Sequence, residues 1–198
     1  MTASSSTPTP VSLPSRGTAE LCAVADLGDE ARALLSGGAP APRAYVAQLV
    51  ERALHADAIR FIAHALPRRE AVWWAWVCAR KVAGAEPAPA VKAALDATER
   101  WIMQPTDEHR RQALHFGEVA DFGTPAGCAA LAAFMSAGSL APPHAPPVPP
   151  DEFMTAKAVA GSVTLAAVAT EPERAVEKFN EFVKVGLEVA DRTRLWPT

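Results

Sequence analysis

Prolines and glycines divide this chain into short segments, and inside most of them apolar residues recur three or four positions apart. That period marks an α-helix with one apolar stripe. Composition points the same way: alanine dominates, Tyr45 is the single tyrosine, and β-branched residues are scattered. Alanine and leucine lose little conformational freedom in a helix, so helices are favoured over strands.

The punctuation predicts helices at about 18–25 and 29–36, closed by Gly37-Gly38, then from Pro42 to about Leu54. ADAIRFIAHAL (56–66) forms a short helix, and Pro67 opens another that fades at Gly84. Further helices are expected at about 90–103, 106–120 and 124–137, the last two started by Thr106 and Thr124 as N-caps. Two more run over about 155–169 and 172–192. In the final one Val176, Phe179, Val183, Leu187 and Ala190 form the expected core stripe. Between them APPHAPPVPP (141–150) reads as an extended polyproline II strap crossing the bundle, with docking on an aromatic groove as its alternative role. Short connections make antiparallel hairpins, so the expected fold is all-α: a single domain of about eight to nine helices, as an orthogonal bundle or a short α-solenoid-like array of helical hairpins.

The 198 residues suit one domain, placed at 18–194 between an N-terminal tail (1–17) and a C-terminal one (195–198). The start, rich in Ser, Thr and Pro, reads as disordered and lacks the apolar run of a signal peptide. The apolar stretches 124–138 and 158–169 are too short to span a bilayer. Gly123-x-x-x-Gly127 reads as loop and cap rather than a membrane dimer motif. A cytoplasmic protein with no membrane partner is expected. Its formal charge of −3 does not suggest nucleic acid either.

Little points to catalysis. Cys22, Cys78 and Cys128 make no CxxC and read as buried thiols, with a reactive Cys78 beside Arg80 and Lys81 the lesser alternative. The five histidines form no HExxH, and the nearest pair, His109 and His115, projects about 240° apart on a helix. Nucleotide-binding and hydrolase motifs are missing. Asp26, Asp29, Glu30, Asp107 and Glu108 sit at first helical turns or chain reversals, where a carboxylate complements the helix dipole. No catalytic residue, metal or cofactor is therefore assigned.

LPRREAVWWAWVCAR (66–80) holds three of the five tryptophans. With Trp73 at zero, Trp74 projects near 100° and Trp76 near 300°, with Arg69 and Arg80 at about 320° and 340°. Ala71, Ala75, Cys78, Ala79 and Val82 fill the other half, a small-residue face suited to close packing. The aromatic half is either core, with arginine stems reaching past it to water, or a docking ledge. Arg69 with Trp73, and Trp76 with Arg80, are spaced for cation–π contact. The candidate protein-binding set is Arg68, Arg69, Trp73, Trp76 and Arg80.

These residues, together with 121–150 and KAVAGSVTLAAVA (157–169), resemble an uncharacterised family of small bacterial proteins, often encoded near type VI secretion genes. The resemblance covers roughly 18–190. It implies a non-enzymatic accessory or adaptor in effector loading, with a spike-tip, adaptor or effector protein as partner. Two alternatives stand beside it. One is a ligand binder or enzyme with a pocket lined by Trp73, His64 and Cys78; the other is a homo-oligomer built through the small-residue helices.

Overall fold

Among the described residues the expected punctuation appears in three dimensions as ten α-helices. The computed structural model describes residues 16–196. In chain order they are α1 (Thr18–Val24), α2 (Asp29–Ala33), α3 (Pro42–Glu51), α4 (His55–Ala65), α5 (Arg68–Ala83), α6 (Pro89–Met103), α7 (Asp107–Val119), α8 (Pro125–Phe134), α9 (Met154–Val168) and α10 (Ala175–Arg192). No strand occurs among the described residues. The proposed tail falls outside them, apart from Arg16 and Gly17.

Local chemistry sets the boundaries. Pro42, Pro89 and Pro125 occupy first turns, where the missing N–H costs nothing. Thr106 and Thr124 accept from the backbone N–H of His109 (3.2 Å) and Gly127 (3.1 Å), as N-caps do. At the end of α3, Ala53 turns left-handed (φ 59°) and Leu54 N–H reaches the Leu49 carbonyl at 2.8 Å, a Schellman closure.

Helices α8 and α9 pack on each other and on α5, while α4 and α10 close the other side of α9. Helices α6 and α7 flank α8, and α1 and α3 lie against α4. Contacts such as α4 with α10 and α5 with α8 join distant parts of the chain, so the arrangement is a bundle. In a linear array each unit would meet only its neighbours. Helix α8 buries eight of its ten residues, six of them alanine or glycine, leaving it little free surface. Gly127 lies so close to the Asp121 carbonyl that a Cβ would collide with it, so Gly123 and Gly127 do serve a loop and a cap.

The end of α8 explains several polar residues. The carbonyls of Phe134, Met135 and Ser136, at and just beyond that end, are each met by a side chain. Arg110 donates to Phe134 O (2.7 Å), Thr155 to Met135 O (2.9 Å) and Arg68 to Ser136 O (2.8 Å). Arg110 is 2% exposed, lies 4.6 Å from the Phe134 ring centroid and pairs with Asp107.

Three expectations need correction. The proline strap does not cross the bundle. Ser139 Oγ accepts from Ala141 N–H (3.1 Å) and Val148 N–H (2.9 Å), and Leu140 N–H donates to Val148 O (2.8 Å), so both ends of the loop meet. Arg110 and Arg111 hold the Ser139 carbonyl, and residues 142–149 loop outward, exposed. The buried stripe of α10 is Phe182, Val183, Gly186, Val189 and Ala190, whereas Val176 is 59% exposed. The face turned because Trp74 sits on Gly186, a residue with no side chain to count in an apolar pattern. Finally, Trp196 is buried near Phe61, so the folded unit runs past 194.

Candidate functional site

The three clustered tryptophans have three different fates. Trp74 is fully buried, and its Nε1–H donates to the Phe182 carbonyl of α10 at 2.9 Å. Trp76 is half-buried and donates to Leu95 O of α6 at 3.0 Å. Trp73 is half-buried and its ring faces a hollow. A buried indole needs a partner for its N–H, and backbone carbonyls of neighbouring helices supply both. The small face behaves as its composition suggests: Ala71, Ala75, Cys78 and Ala79 are buried, and α5 packs against α8 and α9.

The five candidate contact residues do not form one surface. Arg68 donates to the Ser136 and Glu152 carbonyls, at the junction of α5 with α9. Trp76 and Arg80 border a cleft of about 250 Å³ against α6, where Glu86, Lys92, Asp96 and Glu99 mix both charges. Arg69 and Trp73 line a third depression, a hollow of about 310 Å³ between α5, the end of α6 and the end of α10. Ile102, Met103 and Val189 supply its apolar wall, and Arg69, Glu70 and Arg192 its charged rim.

The cation–π pairs expected along α5 are replaced by others. The guanidinium over Trp73 belongs to Arg192, 5.8 Å from the ring centroid. Arg69 Nε instead donates to Ile102 O at 2.7 Å, holding the open end of α6, and Arg80 reaches the Gly84 carbonyl at 3.5 Å. Arg192 and Met103 thus belong to the hollow and were not anticipated. Both lie on other helices, and no spacing within 66–80 could point to them.

The alternative pocket lined by Trp73, His64 and Cys78 does not form. Trp73 faces the hollow, Cys78 is completely buried, and His64 lines two cavities elsewhere. Burial pushes the Cys78 thiol well above its usual range, outweighing nearby Lys81, so it is not a poised nucleophile. Burial likewise raises Cys22, against a hydrogen bond with Tyr45, and lifts Cys128 to about 11. Hydrogen bonds from Arg110 and then Arg111 hold the Asp107 carboxyl below its ordinary range. Among the described residues, no three His, Cys, Asp or Glu side chains gather as a metal site requires. None of the described helices is long and apolar enough to cross a membrane.

One family matches, described as a family of unknown function (DUF6931), over residues 45–190. The chain belongs to this family. The matched region runs from Tyr45 in α3 to Ala190 in α10, so it contains the tryptophan helix, the Arg110 staple and Met103. Arg192, which completes the rim of the hollow, lies two residues beyond it, and α1 and α2 precede it. No curated protein and no solved structure matches the chain.

Proposed function

We propose that this chain is a non-enzymatic protein-interaction module that docks its partner in the Trp73 hollow. The observation that carries this is Met103, 74% exposed at the lip of an aromatic, arginine-rimmed depression. A large apolar side chain held in water there does nothing for folding, and tryptophan and arginine are the residues most concentrated at interface hot spots. The chemistry favours a partner segment with one apolar anchor beside acidic residues. The anchor would cover Trp73 and Met103, and the carboxylates would meet Arg69 and Arg192. Arg68, Trp76 and Arg80 fall outside this contact set.

The family resemblance supplies the setting: effector loading for bacterial type VI secretion in the cytoplasm, with a spike-tip, adaptor or effector protein as partner. The test uses two matched substitutions, Met103→Glu and Val119→Glu, each at the last residue of a helix and each at a highly exposed position. Pull-down mass spectrometry from the native host should recover a secretion component with the unmodified chain and with Val119→Glu, but not with Met103→Glu. Equal recovery with both variants, or no secretion component at all, refutes the proposal.

A further inference from the structure

A second site lies on the opposite flank of α5. A cavity of about 430 Å³ opens where the end of α4, the start of α5 and the start of α9 converge, with Arg16 and Leu195 at its edge. Pockets of this size hold small molecules. Its polar groups are unequally satisfied. Glu152 is paired with Arg16, the Glu20 carboxylate accepts from Gly17 N–H, and the Thr155 hydroxyl is committed to Met135 O.

Arg68 and His64 differ. Arg68 is fixed by two backbone carbonyls, Ser136 O at 2.8 Å and Glu152 O at 3.2 Å, and no carboxylate pairs with it among the described residues. Carbonyls orient a guanidinium without neutralising it, so a full positive charge and spare N–H donors remain at the cavity. The first turns of α5 and α9 also begin here, and neither has a side-chain cap, which adds positive potential.

His64 is 8% exposed, and its Nδ1 lies 2.8 Å from Arg60 O. A carbonyl only accepts, so Nδ1 carries the proton and Nε2 presents a lone pair in the neutral ring. That Nε2 is buried with no hydrogen-bond partner. A buried acceptor without a donor is rare in a folded protein and points to something missing. The Phe153 ring, 5.6 Å from the His64 ring, lines the same cavity and lies 5.1 Å from the Arg16 guanidinium.

We infer that this cavity binds a small hydroxycarboxylic acid, its carboxylate on Arg68 and its hydroxyl donating to His64 Nε2. A single negative charge suits the site better than a phosphate dianion, because Arg68 is its one guanidinium without a carboxylate partner and the Glu20 carboxylate lines the same cavity. The site is separate from the Trp73 hollow, and its failure would leave the docking proposal standing.

The test titrates the full chain with lactate, with propionate, which lacks only the hydroxyl, and with inorganic phosphate. Calorimetry and nitrogen NMR of the histidine rings give the readout. Lactate should bind roughly tenfold more tightly than propionate, the discrimination expected of one buried hydrogen bond, and should move the His64 Nε2 resonance. Arg68→Gln should abolish lactate binding and Arg68→Lys should retain part of it. His64→Leu should make the two acids equal, an effect that general destabilisation would not produce. Should Arg68→Gln fail to fold, the lactate-to-propionate ratio of the unmodified chain decides. Equal binding of the two acids, binding of phosphate alone, no binding, or an unmoved Nε2 resonance overturns the inference.

Discussion

Gly186→Ala tests the contact on which the tryptophan helix is seated. An added Cβ would lie 2.9 Å from Cε2 and Cζ2 of Trp74 and 3.0 Å from Cγ2 of Ile62. Carbon atoms rest about 3.5–4.0 Å apart, so the neighbours must yield by roughly half an ångström or more. Trp74 has little freedom to do so: it is fully buried and tied by Nε1 to Phe182 O, on the same helix as Gly186. Overpacking of this kind costs about 1–3 kcal/mol, while alanine returns about 1 kcal/mol of helix propensity. The net expectation is a loss of as much as about 2 kcal/mol, or a Tm lower by as much as roughly 8 °C for a chain of this length. Thermal and urea unfolding measure it. Trp74→Phe removes the outer part of the indole and costs about 2–3 kcal/mol alone through the lost hydrogen bond and the space left behind. With Gly186→Ala the two should be less harmful than their sum, with a coupling of about 1 kcal/mol. A Gly186→Ala protein that melts at or above the unmodified Tm, with no coupling, would show that α10 does not rest on Trp74 as described.

Other outcomes follow from single contacts. Arg110→Ala strips donors from Phe134 O and Ser139 O and should cost about 2–4 kcal/mol, with faster proteolysis within 139–150 under native conditions. Ala53→Gly relieves a left-handed residue (φ 59°) at a helix end and should stabilise by about 1 kcal/mol in urea unfolding. His64 titrates below its ordinary 6.5, chiefly because it is buried, with Lys157 and Arg16 adding to the effect. The unfolded chain therefore takes up the proton first as pH falls. Its contribution to stability is fully present above about pH 6.5 and declines below it, so His64→Leu should flatten the stability profile on the acid side of 6.5.

Element boundaries were legible because they depend on near neighbours. Thr124-Pro125 and Thr106 announce their helices through a cap and a first-turn proline, and Gly84 closes α5 at positive φ. What was misjudged depends on contacts across the bundle. The α10 stripe was misphased because Gly186 carries no side chain, yet receives the largest one in the core. The proline segment reads as a strap because its prolines favour extension. Ser139 and the two arginines of α7, about thirty residues earlier in the chain, fold it back into a loop.

The candidate site shows why the arginines beside the tryptophans were harder to judge. Helical spacing places Arg69 and Arg80 at the border of the aromatic face but cannot say where a guanidinium is spent. In the fold, Arg68, Arg69 and Arg110 all turn toward open carbonyls at the ends of α6 and α8, doing the work of helix caps. Arg110 also pairs with the Asp107 carboxylate, whereas Arg68 and Arg69 keep their charge while losing their freedom, so those two stabilise the fold and stay able to attract an anion. That dual role follows from the acceptor: a carboxylate partner would have cancelled the charge, and a carbonyl does not. It predicts a separation by experiment. Replacing Arg68 or Arg69 with lysine should retain part of the binding that depends on charge, yet lower stability through the weakened carbonyl contacts, since an ammonium cannot reproduce the guanidinium fork.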